Sequence, residues 1–250
     1  MISRLLRCPT RLFLPALFFL AVSTMAAFEP PSQPITLSPT EGAKAAKELI
    51  ADILSQQPDQ SVTNTGVLKK NRRSETPLRF EINAGSASWS SVYEATAETN
   101  GIVKLTVVRT AGQPNQYVVV ENGKEKTLSG SETMVPFAGS DFWVADLGLE
   151  FLFWPQQRIL RKEIRRGQSC DVLESINPQP AAGGYARVVS WIDIDSNGII
   201  NADAYDAKGK PLKEFIAKSV KKVHGQWELK EIEMDNRVTG SRTWMEFDLH

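Results

Sequence analysis

The feature that most restricts the fold of this chain is a hydrophobic period of two residues, which recurs from about a quarter of the way along to the C-terminus. Leu78, Phe80 and Ile82 alternate with charged residues, and the same alternation returns in later segments. Asn-Gly pairs at 100–101 and 122–123 separate such runs and indicate tight hairpins. Strands and helices do not alternate as they do in parallel sheets. The pattern predicts a mainly β (α+β) domain, with ten or eleven antiparallel strands and two or three helices.

Two segments have helical character instead. Residues 43–54 carry apolar side chains at helical spacing, with Thr40 as a candidate N-cap and Pro58 beyond the end. Residues 140–155 are rich in aromatic residues, begin with helix-cap chemistry and end at Pro155, which predicts a short helix or helix-turn. Because each segment has an apolar face, each must cover another part of the molecule.

The N-terminus has the pattern of a secretory signal peptide over residues 1–26. Three arginines precede an apolar run at 12–22, and small residues follow it. The run is too short to span a bilayer comfortably, although an uncleaved anchor is the alternative. No cysteine stands just after the run, so lipidation is not expected. We predict cleavage, an extended lead-in at 27–39 that adds nothing to the core, and one folded domain over 40–250.

Charge and cysteine content narrow the function classes. Without residues 1–26, the chain keeps 26 of its 29 basic residues and all 29 acidic residues. This slightly acidic balance argues against nucleic acid as a partner. Cys170 is then the only cysteine, so no intramolecular disulfide can form, and a buried apolar role is favoured over a nucleophilic one.

Catalytic and metal-binding patterns are not found in the sequence. The two histidines are His224, in a predicted turn, and His250, the last residue. The acidic residues at 193–198 resemble a calcium loop only loosely, because position twelve is Ala204, and a solvated hairpin tip is favoured. Those at 141–150 are typical of a helix start. We expect no catalytic residue, no metal and no cofactor.

Aromatic side chains are the most prominent remaining feature. All six tryptophans follow the predicted signal peptide. Strands and helices with apolar faces can enclose a ligand cavity, or the same side chains can fill a dry core. Periodicity alone leaves both interpretations open and favours the dry core.

An ordered set of motifs resembles the outer-membrane lipoprotein-sorting protein family. The stretch Phe137-Ala-Gly-Ser-Asp-Phe-Trp-Val-Ala-Asp-Leu147 is similar to that family's G-[ST]-D-[FW]…D-L segment. Further matching stretches follow in the family's order, at 148–157, 166–174, 185–193, 204–212, 230–236 and 239–243. Together the motifs extend the resemblance over residues 40–249.

The resemblance implies the fold of LolA-like periplasmic carriers, an incomplete antiparallel half-barrel whose open side is covered by helices. It also implies a soluble periplasmic monomer that binds acyl chains of lipoproteins or related lipids and exchanges them with membrane-embedded donor or acceptor proteins. The alternative on the same fold is a lipid- or lipoprotein-sensing regulatory module. In this interpretation residues 40–54 and 141–154 are lid segments. The expected acyl-binding side chains are Trp89, Tyr93, Phe142, Trp143, Phe151 and Trp191.

Overall fold

A computed structural model describes residues 34–97, 101–223 and 226–249. In this part of the chain all fourteen strands form one open sheet, in which every neighbouring pair is antiparallel. The order across the sheet is β1-β8-β9-β10-β11-β12-β13-β14-β2-β3-β4-β5-β6-β7. The strands are β1 Ile35–Thr36, β2 Val62–Lys70, β3 Ser74–Asn83, β4 Ser88–Ala97, β5 Gly101–Thr110, β6 Gln116–Glu121, β7 Lys124–Leu128, β8 Gln156–Arg165, β9 Gln168–Ile176, β10 Arg187–Asp193, β11 Ile199–Tyr205, β12 Pro211–Val223, β13 Gln226–Asn236 and β14 Arg242–Asp248.

Two α-helices accompany the sheet, α1 at Pro39–Ser55 and α2 at Val144–Gly148, with 3₁₀ turns at Gly130–Thr133 and Glu150–Phe153. The α1 N-cap is Ser38 rather than Thr40. The Ser38 hydroxyl accepts from the Glu41 amide, and the Glu41 carboxylate accepts from Ser38. This capping box gives hydrogen-bond acceptors to two backbone amides at the helix start, those of Ser38 and Glu41.

The described part of the lead-in, residues 34–39, contributes to the core, contrary to the prediction that it adds nothing. Ile35–Thr36 pairs with β8, and Leu37 packs against the cluster beneath α1. The signal-peptide prediction concerns residues 1–26, which lie outside the described residues.

The strand count also exceeds the predicted ten or eleven. The clearest omission is β8, whose run of charged residues at 161–163 hides the alternation. Its Ile159 is buried, while Arg161 and Glu163 pair with each other across one position on the partly exposed side. The hairpin predicted at 122–123 is confirmed, since Asn122 and Gly123 both have positive φ between β6 and β7.

The sheet must be strongly curved. Arg109 on β5 donates to the Leu147 carbonyl, and Gln157 on β8 donates to the Phe151 carbonyl. β5 and β8 are ten strands apart, which is about 48 Å in a flat sheet. Four residues of chain reach at most about 14 Å. The inner face therefore wraps around residues 147–151, giving the expected half-barrel.

Apolar side chains on the inner face form two packed clusters. One joins β2–β7 and β12–β14 to Phe137 and Phe142, and the other joins α1 and the 3₁₀ turn at Glu150–Phe153 to β8–β12. Phe215 on β12 packs against both clusters. A smaller cluster around Cys170 and Trp191 lies on the outer face of β8–β11.

The fit of α1 against β8 gives a first prediction. A Cβ at Gly42 would lie 2.3 Å from the Ile159 carbonyl oxygen, so Gly42→Ala must displace the helix. The overpacking should cost about 1–3 kcal/mol of unfolding free energy, and the higher helix propensity of alanine should return about 1 kcal/mol. The net loss of stability should be about 1 kcal/mol. Hydrogen exchange should show weaker protection of α1, whereas Lys44→Ala on the exposed side should not. Unchanged α1 protection in Gly42→Ala would contradict this packing.

Candidate functional site

Residues 137–154, called the plug segment here, run across the inner face of the half-barrel. Phe137 and Phe142 enter the cluster on the β2–β7 side, and Phe151 enters the cluster beneath α1. The predicted short helix at 140–155 is confirmed as α2 with its following 3₁₀ turn. The plug segment therefore divides the interior into separate spaces.

The Asp141 carboxylate fixes one end of the plug segment to the sheet. It is only 3 % exposed and accepts hydrogen bonds from Asn236 Nδ2 (3.1 Å), Ser241 Oγ (2.6 Å) and Thr243 Oγ1 (2.8 Å). The Asp141 amide also donates to Thr243 Oγ1 at 3.0 Å. All three partners lie on β13, β14 or the turn between them. This site has the character of an anchor, because every donor holds the carboxylate in place.

Lys213 on β12 fixes the middle of the plug segment. Its ammonium group donates to the Asp141 carbonyl at 2.6 Å and to Asp146 Oδ2 at 3.4 Å, and it lies 3.7 Å from the Trp143 ring centroid. Tyr185 stacks on Trp143 with centroids 4.6 Å apart and donates to Asp146. Burial lowers the Lys213 pKa to about 8, against the opposing attraction of Asp146.

These contacts explain the lipoprotein-sorting motif in physical terms. Asp141 and Asp146 are held by sheet residues, and Asp146 also accepts from the Trp143 amide at 2.7 Å, as a helix-capping carboxylate does. We call the set Asp141, Trp143, Asp146, Tyr185, Lys213 and Thr243 the latch. Its geometry attaches the plug segment to the sheet.

Two open grooves remain on the inner face of the β2–β7 side. One, of about 870 Å³, has an apolar floor including Leu68 and Val119 and a rim that carries Lys70, Lys124 and Lys126. The other, of about 650 Å³, lies at the opposite ends of β2, β3 and β14, and is called the aromatic groove here. Both volumes are in the range of ligand sites.

The aromatic groove is the more apolar of the two. The Phe80 ring lies 4.9 Å from Tyr93 and 5.3 Å from Phe247, centroid to centroid. Asp59 and Glu228 are its charged lining residues. The remaining apolar lining consists of Pro58, Val62, Ile82, Leu229, Ile232, Met245 and Leu249. Phe80 and Ile82 are only half-buried, so this surface is open to an incoming apolar ligand.

The structure distributes the six predicted site residues over several places. Tyr93 lines the aromatic groove, and Trp89 lies on the same face of β4, as the sequence predicts. Phe142 is 1 % exposed in the core of the β2–β7 side. Trp143 and Phe151 belong to the cluster beneath α1. Of the six, Tyr93 is the one in direct contact with the aromatic groove.

Trp191 requires a correction, because it faces outward. Val188 and Ile192 on the same strand pack beneath α1, whereas Trp191 packs with Cys170 on the opposite face. Its indole donates to Glu163, and the Arg165 guanidinium lies 4.5 Å from its ring centroid. Both faces of β10 are buried, so alternation could not identify the inner one.

Sequence reasoning did not select Phe80, Met245 and Phe247, which line the aromatic groove. The alternation of Phe80 with Arg79 and Glu81 was the available signal. It assigns Phe80 to the apolar face of its strand, but it does not show that the neighbours of Phe80 leave space for a ligand.

The other predicted residues have structural surroundings. Cys170 is buried, and burial raises the pKa of its thiol, as expected for an apolar core residue. Asp193 accepts from the amide and hydroxyl of Ser196 in the turn after β10, which agrees with a hairpin tip. His224 and His250 lie outside the described residues. Within the described residues no group of three potential metal ligands occurs, and no helix there is long and apolar enough to cross a membrane.

Comparisons with solved structures identify the fold. A DUF1329 family protein from Desulfovibrio piger superposes with a TM-score of 0.66 at 20% identity, over 83% of this chain and 91% of that one. A putative outer membrane lipoprotein-sorting protein domain from Vibrio parahaemolyticus gives 0.67 at 21% identity, over 85% and 93%. A LolA superfamily protein from Nitrosomonas europaea gives 0.54 at 16% identity, over 83% and 91%.

Sequence comparison is more limited. No curated protein matches the chain. A family model described as an uncharacterized protein matches residues 87–249, well over half of the chain. The chain therefore belongs to this family, and its half-barrel is the fold of LolA-like and outer-membrane lipoprotein-sorting proteins, as its motifs predicted.

Proposed function

We propose that this protein is a non-catalytic carrier that holds acyl chains in the aromatic groove. The observation that carries the proposal is an apolar inner surface that the plug segment leaves uncovered, on which Phe80 contacts both Tyr93 and Phe247. Such a surface costs free energy in water unless a ligand covers it. An acyl chain gains about 0.8 kcal/mol for each buried CH₂ group, so van der Waals and hydrophobic contacts suffice for binding.

The predicted signal peptide and the LolA-like fold support a location in the periplasm. There an acyl chain crossing between two membranes must be shielded from water. The proposed cargo is therefore a lipoprotein or related lipid moving toward the outer membrane, with membrane proteins as donor and acceptor and with the carrier acting as a monomer. The two segments that cover the inner face, α1 and the plug segment, are the proposed lids.

Filling the aromatic groove should abolish binding. Val62 and Ile82 are cross-strand partners at its edge, and both are half-buried. The double variant Val62→Trp/Ile82→Trp should lower affinity for a fluorescent fatty acid at least about tenfold, because the indoles occupy the space of several CH₂ groups. Displacement titrations measure this, and thermal melting verifies that the variant is folded.

Glu81→Trp is the matched control, since it places an indole on the opposite face of the same strand. It should bind the fatty acid as the wild type does. Native mass spectrometry of protein isolated from the periplasm should also detect a copurified lipid or lipopeptide. A folded double variant with unchanged affinity would refute the assignment of the groove.

A further inference from the structure

Arg109, near the end of β5, makes an unusual set of contacts on the inner face. It lies opposite Trp89 on β4, and its guanidinium carbon is 4.4 Å from that ring's centroid. Nη1 donates to Ser91 Oγ at 2.7 Å, and Nη2 donates to the Leu147 carbonyl at 3.4 Å. A guanidinium has five N–H donors, so these neutral acceptors use only part of its capacity.

The charge of Arg109 is not balanced by the groups around it. It forms no ion pair with any carboxylate of the described residues, and the ionisable groups that act on it are the phenols of Tyr93 and Tyr117. Burial lowers its pKa, but an arginine remains protonated at neutral pH. Arg109 is half-buried, so its guanidinium has lost part of its hydration without gaining a carboxylate partner. A bound anion would supply that partner.

The position of Arg109 connects it to the aromatic groove. Ser91, which accepts from Arg109, lies two residues before Tyr93 on the same face of β4. Tyr93 is in turn part of the groove wall and contacts Phe80. Arg109 does not line the groove itself, but it lies at the same end of the sheet, because Trp89 and Ser91 are near the Ile82 end of β3. An acyl chain against Phe80 and Tyr93 that extends toward this end would bring its head group to Arg109.

We propose that Arg109 binds the anionic head group of the ligand whose acyl chain occupies the aromatic groove. The inference rests on the proposed acyl-binding function and narrows its ligand to an anionic amphiphile, an acyl chain that ends in a carboxylate or phosphate. Stacking on Trp89 and the bond to Ser91 hold the guanidinium plane, which leaves its other N–H groups for the anion.

Oleate and monoolein test this, because they share one acyl chain and differ in head-group charge. Isothermal titration at neutral pH should show the wild type binding oleate at least about tenfold more tightly than monoolein. Arg109→Gln should remove this preference and leave the affinity for monoolein unchanged. Arg79→Gln, on the opposite and exposed face of β3, is the matched control and should retain the preference.

Each other outcome has a definite meaning. Equal affinity of the wild type for both ligands, or an Arg109→Gln variant that still prefers oleate, overturns the inference alone. A parallel loss of both ligands in Arg109→Gln would make Arg109 a structural contact of the plug segment, and also overturns it. Failure of both ligands to bind the wild type overturns the acyl-binding function as well. If the wild type prefers oleate to monoolein, a titration with lysophosphatidic acid of the same chain shows whether a phosphate or a carboxylate head group binds more tightly.

Discussion

Replacing Asp141 by alanine should destabilise the protein by about 3–5 kcal/mol, the largest effect expected of any single latch residue. The change removes the acceptor for Asn236, Ser241 and Thr243, and it leaves the buried Thr243 hydroxyl and two half-buried donors without a partner. Urea denaturation should report the loss as a lower midpoint. Hydrogen exchange should show that the plug segment loses protection.

Two further variants test the cause. Asp141→Asn keeps the shape of the side chain but presents an NH₂ group to at least one donor. Its loss of unfolding free energy should therefore be smaller than that of Asp141→Ala. Asp195→Ala, at an exposed turn position, should change the free energy of unfolding by less than about 0.5 kcal/mol. If Asp141→Ala were as stable as Asp195→Ala, the plug segment would not depend on this anchor.

Stability should rise between about pH 8 and 9.5 because of Lys213. Its pKa is about 8 in the folded protein, and the usual value of 10.5 applies to the unfolded chain. Between these values the unfolded state binds more protons, so the free energy of unfolding increases with pH. The contribution should reach about 2 kcal/mol by pH 9.5, and it is absent below pH 8, where both states are protonated.

The measurement is the difference between the wild type and Lys213→Met in urea denaturation across this range. Methionine keeps most of the length of the side chain and cannot titrate. The experiment stops at pH 9.5, because burial raises the pKa values of Tyr93, Tyr117 and Tyr185. Above pH 10 these phenols make stability fall again. Parallel curves for the two proteins would show that Lys213 titrates normally.

Both predictions concern residues of the latch, which holds the motif segment at 137–147, and they give that motif a mechanical meaning. Its carboxylates anchor a segment that crosses the interior, and the open apolar surface lies beside that segment. Latch and groove are therefore separate parts. A latch variant should change stability first, whereas Val62→Trp/Ile82→Trp should change binding with little effect on stability.

Much of the fold could be predicted because its signals are local. Alternation in residues 78–82 reports a half-buried strand, and Asn122-Gly123 reports a tight hairpin, since both depend on neighbouring residues alone. β8 was missed for the same reason. Its charged side chains at 161–163 lie on both faces of the strand, so polar residues do not alternate there with apolar ones.

The site was harder to predict from the sequence than the fold, and Trp191 shows why. A strand buried on both faces gives no local sign of which face meets the plug segment, so the prediction that Trp191 faces inward was wrong. Trp89 and Tyr93 were assigned to a common face correctly, because two residues on one strand are related by its period. Whether a cavity adjoins them depends on the curvature of the whole sheet.

The sequence by itself determined most of the strands, the helices, the likeness to lipoprotein-sorting proteins and the apolar character of the inner face. Only the tertiary structure decided that Asp141 meets Thr243, that Lys213 lies beneath Trp143, and that Arg109 has no carboxylate partner among the described residues. Those contacts join residues on strands and segments far apart in the chain. Their geometry follows from strand order and sheet curvature, which no local pattern encodes.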